Sequence, residues 1–174
     1  MRRCYFRLIV ITFLLVGCSV SPTRAPQSQI DRLSVLLYGL DRGIARKESM
    51  TLSLDIFQKT RNLTKEFELT SPALWHNFLV NIGLRKKGLC FHWSDALYIH
   101  LKQKYKKHFE FHLVGANIGE YFLEHNALVI VAKGGKVEQG IVIDPWRNSG
   151  NLYFSTIQND SKYKWVHRKN RGCE

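Results

Sequence analysis

The sequence predicts an α+β domain in which N-terminal helices pack on an antiparallel sheet. Three observations lead there. From residue 30 to about residue 104, apolar residues recur at spacings of three and four, as on amphipathic helices. Beyond Lys107 the period becomes two, with Phe109, Phe111 and Leu113 alternating against Glu110 and His112. Helices first and strands afterwards is the order of an α+β fold, and the roughly 150 residues after the N-terminal segment suit one hydrophobic core.

Four helices are expected. Ile30, Leu33, Leu36, Leu37 and Leu40 place the first from Ile30 to about Ala45. The second runs from Ser49 through Leu52, Ile56, Phe57 and Leu63 to Phe67. In the third, Ser71 and Pro72 read as N-cap and first-turn residue, and the helix continues through Leu74, Phe78, Leu79 and Ile82 to a stop at Gly83. After the basic loop GLRKKG, the fourth runs from Cys90 to about Lys104 with Trp93, Leu97 and Leu101 on one face. The strands expected after Phe109 to Leu113 are His125 to Ala132, Val137 to Asp144 and Leu152 to Ile157. Gly134 and Gly135 form a two-residue hairpin turn between the first two of these three.

Residues 1–17 read as a signal peptide, with a basic start, MRRCYFR, before the short apolar run LIVITFLLVG. That run is too short for a transmembrane helix, which needs about 20 residues to cross about 30 Å of hydrocarbon. Leu15, Val16, Gly17 and Cys18 resemble the bacterial lipobox. Cleavage before Cys18 implies a lipid anchor there, an exported protein on the cell envelope and, with Ser19 following, the periplasmic face of the outer membrane. Residues 18–28, with Pro22, Pro26 and scattered Ser, Thr and Gln, read as a flexible tether, and residues 29–174 as the domain. The whole chain carries a formal charge of +12; removal of Arg2, Arg3 and Arg7 leaves 23 basic residues against 14 acidic. Such a surface favours anionic partners such as envelope polymers or phospholipid head groups. No nucleic-acid-binding motif is present, so nucleic acid is not expected as a partner.

Chemistry concentrates at three residues. Cys90 stands at a predicted helix start after Arg85, Lys86 and Lys87, and both features favour the thiolate. A thiol nucleophile needs a base, and the base needs a group to orient it. With Gly134 and Gly135 as the turn, His125 falls directly opposite Asp144, with Cβ atoms about 4.5 to 5.5 Å apart. A disulfide from Cys90 to Cys173 is the competing arrangement in an oxidising compartment; the expectation is a free Cys90 thiol. Cys90, His92, His100, His108 and His112 lie within 23 residues, but their spacing gives no matched ligand set, so neither metal nor cofactor is expected.

The segments GLCFHWSDAL, HNALVIVAKGG and GIVIDPW resemble the transglutaminase-like superfamily in the order Cys at a helix start, His on one strand, Asp on the next. The separations are 35 and 19 residues, and the resemblance covers about residues 70–158. It implies a papain-like core with the nucleophile at a helix N-terminus and a thioacyl intermediate. Cys90 is then the nucleophile, His125 the general base and acid, and Asp144 the orienting carboxylate. The departure is Phe-His-Trp after Cys90, where many relatives have small or acidic residues. His92 and Trp93 are thereby candidates for shaping the substrate site, and Trp75, His76 and Asn77 are side-chain candidates for the oxyanion region beside the Cys90 N–H. The expected function is hydrolysis or acyl transfer on a peptide or isopeptide amide of a peptide or protein substrate. The alternative is a noncatalytic lipoprotein that uses the same fold as a binding or assembly module.

Overall fold

The computed structural model describes residues 18–120 and 122–168. The expected signal peptide and Cys173 lie outside them. The described residues form an α+β domain with four α-helices and a five-stranded antiparallel sheet.

A two-residue strand, β1 (Cys18–Ser19), precedes α1 (Gln27–Tyr38) and α2 (Arg46–Glu66). β1 pairs antiparallel with β2 (Thr70–Ser71), and Val20 N–H donates to Leu69 O at 2.9 Å. The stretch expected as a tether is thus partly tied to the body, and its last two residues already belong to α1. Gly39 ends α1 earlier than the apolar spacing suggested, and the Asp41 carboxylate then accepts from Gly43 N–H at 2.7 Å to turn the chain. Ser71 is a strand residue, so Pro72 takes the N-cap position of α3 (Ala73–Asn81) without a side-chain cap. This corrects the expected capping pair. The reason is the long-range partner Cys18, which local spacing does not reveal.

After α4 (Cys90–Lys102) come β3 (Phe109–Ala116), β4 (His125–Ala132), β5 (Ile141–Asp144), β6 (Tyr153–Thr156) and β7 (Val166–His167), in spatial order β6-β5-β4-β3-β7. One sheet face carries Phe109, Phe111, Leu113, Leu128, Ile130, Ile141 and Ile143, which pack with Leu33, Leu37, Leu52, Ile56, Trp93 and Leu97 from the helices. The other carries Val114, Ala127, Val129, Val131 and Val142, under Val137, Tyr153, Ile157 and Trp165. With both faces covered, β4 is buried almost throughout, and so from Ala127 to Ala132 its sequence is a continuous apolar run.

The β4 to β5 connection is not a two-residue turn. Val137–Gln139 forms a 3₁₀ turn, and the strand begins only at Ile141. The segment Val137-Glu138-Gln139 offers one apolar residue and so no alternating face to hold it in the ladder. Gly140 fits because a Cβ there would overlap the Val129 side chain. Leu128 consequently faces Ile143 and Ile130 faces Ile141, a register shifted by two residues from the expected hairpin. His125 and Asp144 are therefore diagonal rather than directly opposed. An even shift keeps both on one face, and diagonal neighbours remain within reach of long side chains.

Candidate functional site

Cys90 is the first residue of α4, where the unpaired backbone N–H groups favour an anion. The turn before it is fixed from three sides. The His92 ring accepts at Nδ1 from Gly88 N–H at 3.1 Å and Leu89 N–H at 3.2 Å. Trp93 Nε1 donates to Gly88 O at 3.0 Å. His76 Nδ1 accepts from Thr70 N–H at 3.1 Å, so its proton sits on Nε2, which donates to Lys87 O at 2.9 Å. Burial is the main cause that lowers the His76 pKa, with Arg85 adding to it and the Lys87 carbonyl opposing, so the neutral ring is the stable form. Gly88 has φ of 125°, and a Cβ there would overlap the His76 ring.

His125 Nε2 bonds Asp144 Oδ2 at 2.7 Å, with both residues buried. His125 Nδ1 has no hydrogen bond of ordinary geometry, which leaves this nitrogen as the one available for the looser interaction with the Cys90 thiol. The helix layer packs on the sheet face opposite to that of His125 and Asp144. Cys90 and His125, the first residues of α4 and β4, meet at the strand end. Asn126, next along β4 and on the helix side, points Nδ2 at Cys90 Sγ at 3.6 Å.

Burial pushes the Cys90 thiol up, but hydrogen bonding and charge from His125, together with the Asn126 side chain and N–H, outweigh it, and the pKa is lowered. For His125, burial pushes down while the Asp144 hydrogen bond and the Cys90 contacts raise it to about 9. Both directions favour the thiolate–imidazolium form of the pair. Among the described residues Cys90 has no disulfide partner, and Cys173 lies outside them.

Asp144 is itself held. Arg147 Nε donates to Oδ2 at 2.9 Å and its backbone N–H to Oδ1 at 3.2 Å. The same guanidinium forms a two-pronged bond to Asp160 at 3.0 and 2.7 Å, and Trp165 Nε1 donates to Asp160 Oδ2 at 2.9 Å. Burial would raise the Asp160 pKa, but the Arg147 and Trp165 hydrogen bonds lower it. The rings of Trp146, Tyr163 and Trp165 lie 4.6, 4.7 and 5.5 Å from that of His125, which shields the imidazole from water.

The structure brings Cys90, His125 and Asp144 together. The expected oxyanion and substrate region is used differently. His76, His92 and Trp93 hold the backbone before Cys90, Asn77 Oδ1 accepts from Trp146 Nε1 at 2.9 Å, and Trp75 stacks on Phe78 at 5.2 Å. A further side-chain donor at the thiol is Asn126, which sequence reasoning missed although it adjoins His125. A cavity of about 450 Å³ is lined by residues such as Arg32, Arg61 and Tyr153, and another of about 370 Å³ by residues such as Lys59, His92 and His100. Neither of these two is lined by Cys90, His125 or Asp144. His100 pairs with Asp55, His108 with Glu48 and His112 with His167. Among the described residues, no three His, Cys, Asp or Glu side chains form a group that could hold a metal ion. No helix among them is long and apolar enough to cross a membrane.

Comparison of the chain with protein-family models, with curated proteins and with solved structures finds no match.

Proposed function

We propose that this chain is an envelope-facing lipoprotein, anchored through Cys18, that acts as a cysteine hydrolase or acyl transferase on peptide or isopeptide amides. Its core is read as papain-like and transglutaminase-like, with the nucleophile at a helix N-terminus. One observation carries the reading: a helix-start thiol next to an imidazole whose far nitrogen is fixed by a buried carboxylate at 2.7 Å.

In the first half-reaction the Cys90 thiolate attacks the amide carbonyl carbon, a C–S bond forms and the carbonyl oxygen takes the negative charge. The His125 imidazolium gives its Nδ1 proton to the departing amine as the C–N bond breaks, which leaves a thioester on Cys90. In the second half, neutral His125 takes a proton from water or an acceptor amine as it attacks the thioester. The new C–O or C–N bond forms, the C–S bond breaks and the thiolate–imidazolium pair is restored. Asp144, held by Arg147, orients the ring and stabilises its charge.

The Cys90 N–H and Asn126 Nδ2 are the donors placed to receive the oxyanion. Loss of one such donor costs about two orders of magnitude in kcat. Asn126→Ala is expected to lose about that much with little change in KM, measured by steady-state kinetics on a fluorogenic peptide amide.

The burial of the triad favours a second reading, a noncatalytic binding module on the same fold. Cys90 is 9% exposed and His125 2%. Activity profiling of envelope extract with a thiol-directed acyl probe separates the two. The enzyme reading expects labelling at Cys90 that disappears in Cys90→Ala, together with loss of a hydrolysed or transferred product. An unlabelled, folded wild type supports the module.

A further inference from the structure

α3 has the composition of a helix that is not fully solvated. Its sequence, ALWHNFLVN, contains no Asp, Glu, Lys or Arg. Ala73, His76 and Leu79 face the body. On the outer side Leu74 is 68% exposed, Phe78 47% and Ile82, just past the helix, 51%, a stripe at four-residue spacing. Trp75 stacks on Phe78, and Leu84 continues the apolar surface at 63% exposure. The basic loop Arg85-Lys86-Lys87 follows directly. Arg85 is within 3.8 Å of Glu68 and Lys87 within 3.5 Å of Glu66, while Lys86 is exposed and makes no ion pair among the described residues.

The position of this stripe selects its occupant. Cys18 pairs with Ser71 across β1 and β2, and α3 begins two residues later. His76 binds both Thr70 N–H and Lys87 O, which ties β2, α3 and the basic loop into one unit. The residue expected to carry the acyl chains therefore leaves the body beside its exposed apolar stripe, with a cation next to it. Exposed apolar surface flanked by positive charge is suited to the boundary between head groups and acyl chains.

We propose that α3 and the loop to Lys87 form a membrane-docking surface, with Leu74, Phe78 and Ile82 inserted into a phospholipid leaflet and Lys86 at its anionic head groups. The proposal rests on the reading of Cys18 as a lipid anchor. It implies an orientation: Asn77 of the same helix binds Trp146, which lies against His125, so docking holds the triad side of the domain near the leaflet.

The test uses the full chain, exported and processed, in vesicles of phosphatidylethanolamine and phosphatidylglycerol, with or without brominated acyl chains that quench nearby tryptophan. The expected result is co-flotation with quenching of an emission component that Trp75→Phe removes. Leu74→Ser/Phe78→Ser/Ile82→Ser is expected to float still but to lose most of that quenching. The single Phe78→Ser variant shows a partial loss, and an unchanged thermal melt shows that the fold is kept. Flotation with Trp75 emission unquenched overturns the docking surface while leaving the anchor, and assigns the stripe to a protein partner instead. Failure to float overturns the anchor and the docking together.

Discussion

Replacement of His125 by alanine is expected to lower turnover of an amide substrate by about three orders of magnitude, the scale of a positioned acid–base group. The loss exceeds that for Asn126 because His125 has two tasks in the proposed mechanism. Its charge holds the thiol below its ordinary value, and its proton must reach the leaving amine. Without it, burial is left as the main influence on Cys90 and pushes the thiol up. Asp144 retains its bonds to Arg147, so the buried carboxylate stays paired. His125→Ala should therefore remain folded by circular dichroism while kcat collapses. A folded variant with near wild-type turnover would remove His125 from the chemistry.

Gly88→Ala is expected to cost about 4 kcal/mol of stability or more, at the upper end for a single substitution. Two effects combine there. The backbone at φ of 125° is strained for any residue with a side chain, and the added methyl overlaps the His76 ring. His76 cannot move aside cheaply, since it is buried and bonded to Thr70 and Lys87. Urea unfolding of Gly88→Ala, His76→Ala and the double variant checks this. The two losses should be strongly non-additive, because removal of the ring relieves the overlap and leaves only the backbone strain.

Cys90, His125 and Asp144 were legible in the sequence for separate reasons. Cys90 was marked by the return of helical spacing after a glycine-bounded basic loop, and β4 by a β-rich run before the paired glycines. The pairing of His125 with Asp144 was right as to face and wrong as to register. The Gly134-Gly135 turn gave a shift of two residues, and period-two alternation tolerates an even error. An odd error would have separated them. The clamp on Asp144 was not legible. Arg147, Asp160, Tyr163 and Trp165 come from turns and a C-terminal stretch without periodicity, and they meet only because that stretch folds over the outer sheet face. The roles of His76 and His92 were also hidden. Each binds backbone groups, and a backbone partner leaves no side-chain signature in the sequence.

The most direct measurement is the rate of Cys90 alkylation by iodoacetamide as a function of pH, in the wild type and in His125→Ala. An isolated cysteine reacts with a single titration near its ordinary pKa of about 8.5. The thiolate–imidazolium pair instead gives a reactive plateau that begins below that value and changes again as His125 loses its proton at about 9. The sign is the same for stability. His125 is raised above the ordinary imidazole value, so the stabilisation from its charged form is fully present below about 6.5 and is lost as pH rises through about 9. His125→Ala should abolish the low-pH plateau. One titration at or above the ordinary thiol value, identical in both proteins, would contradict a Cys90 nucleophile activated by His125.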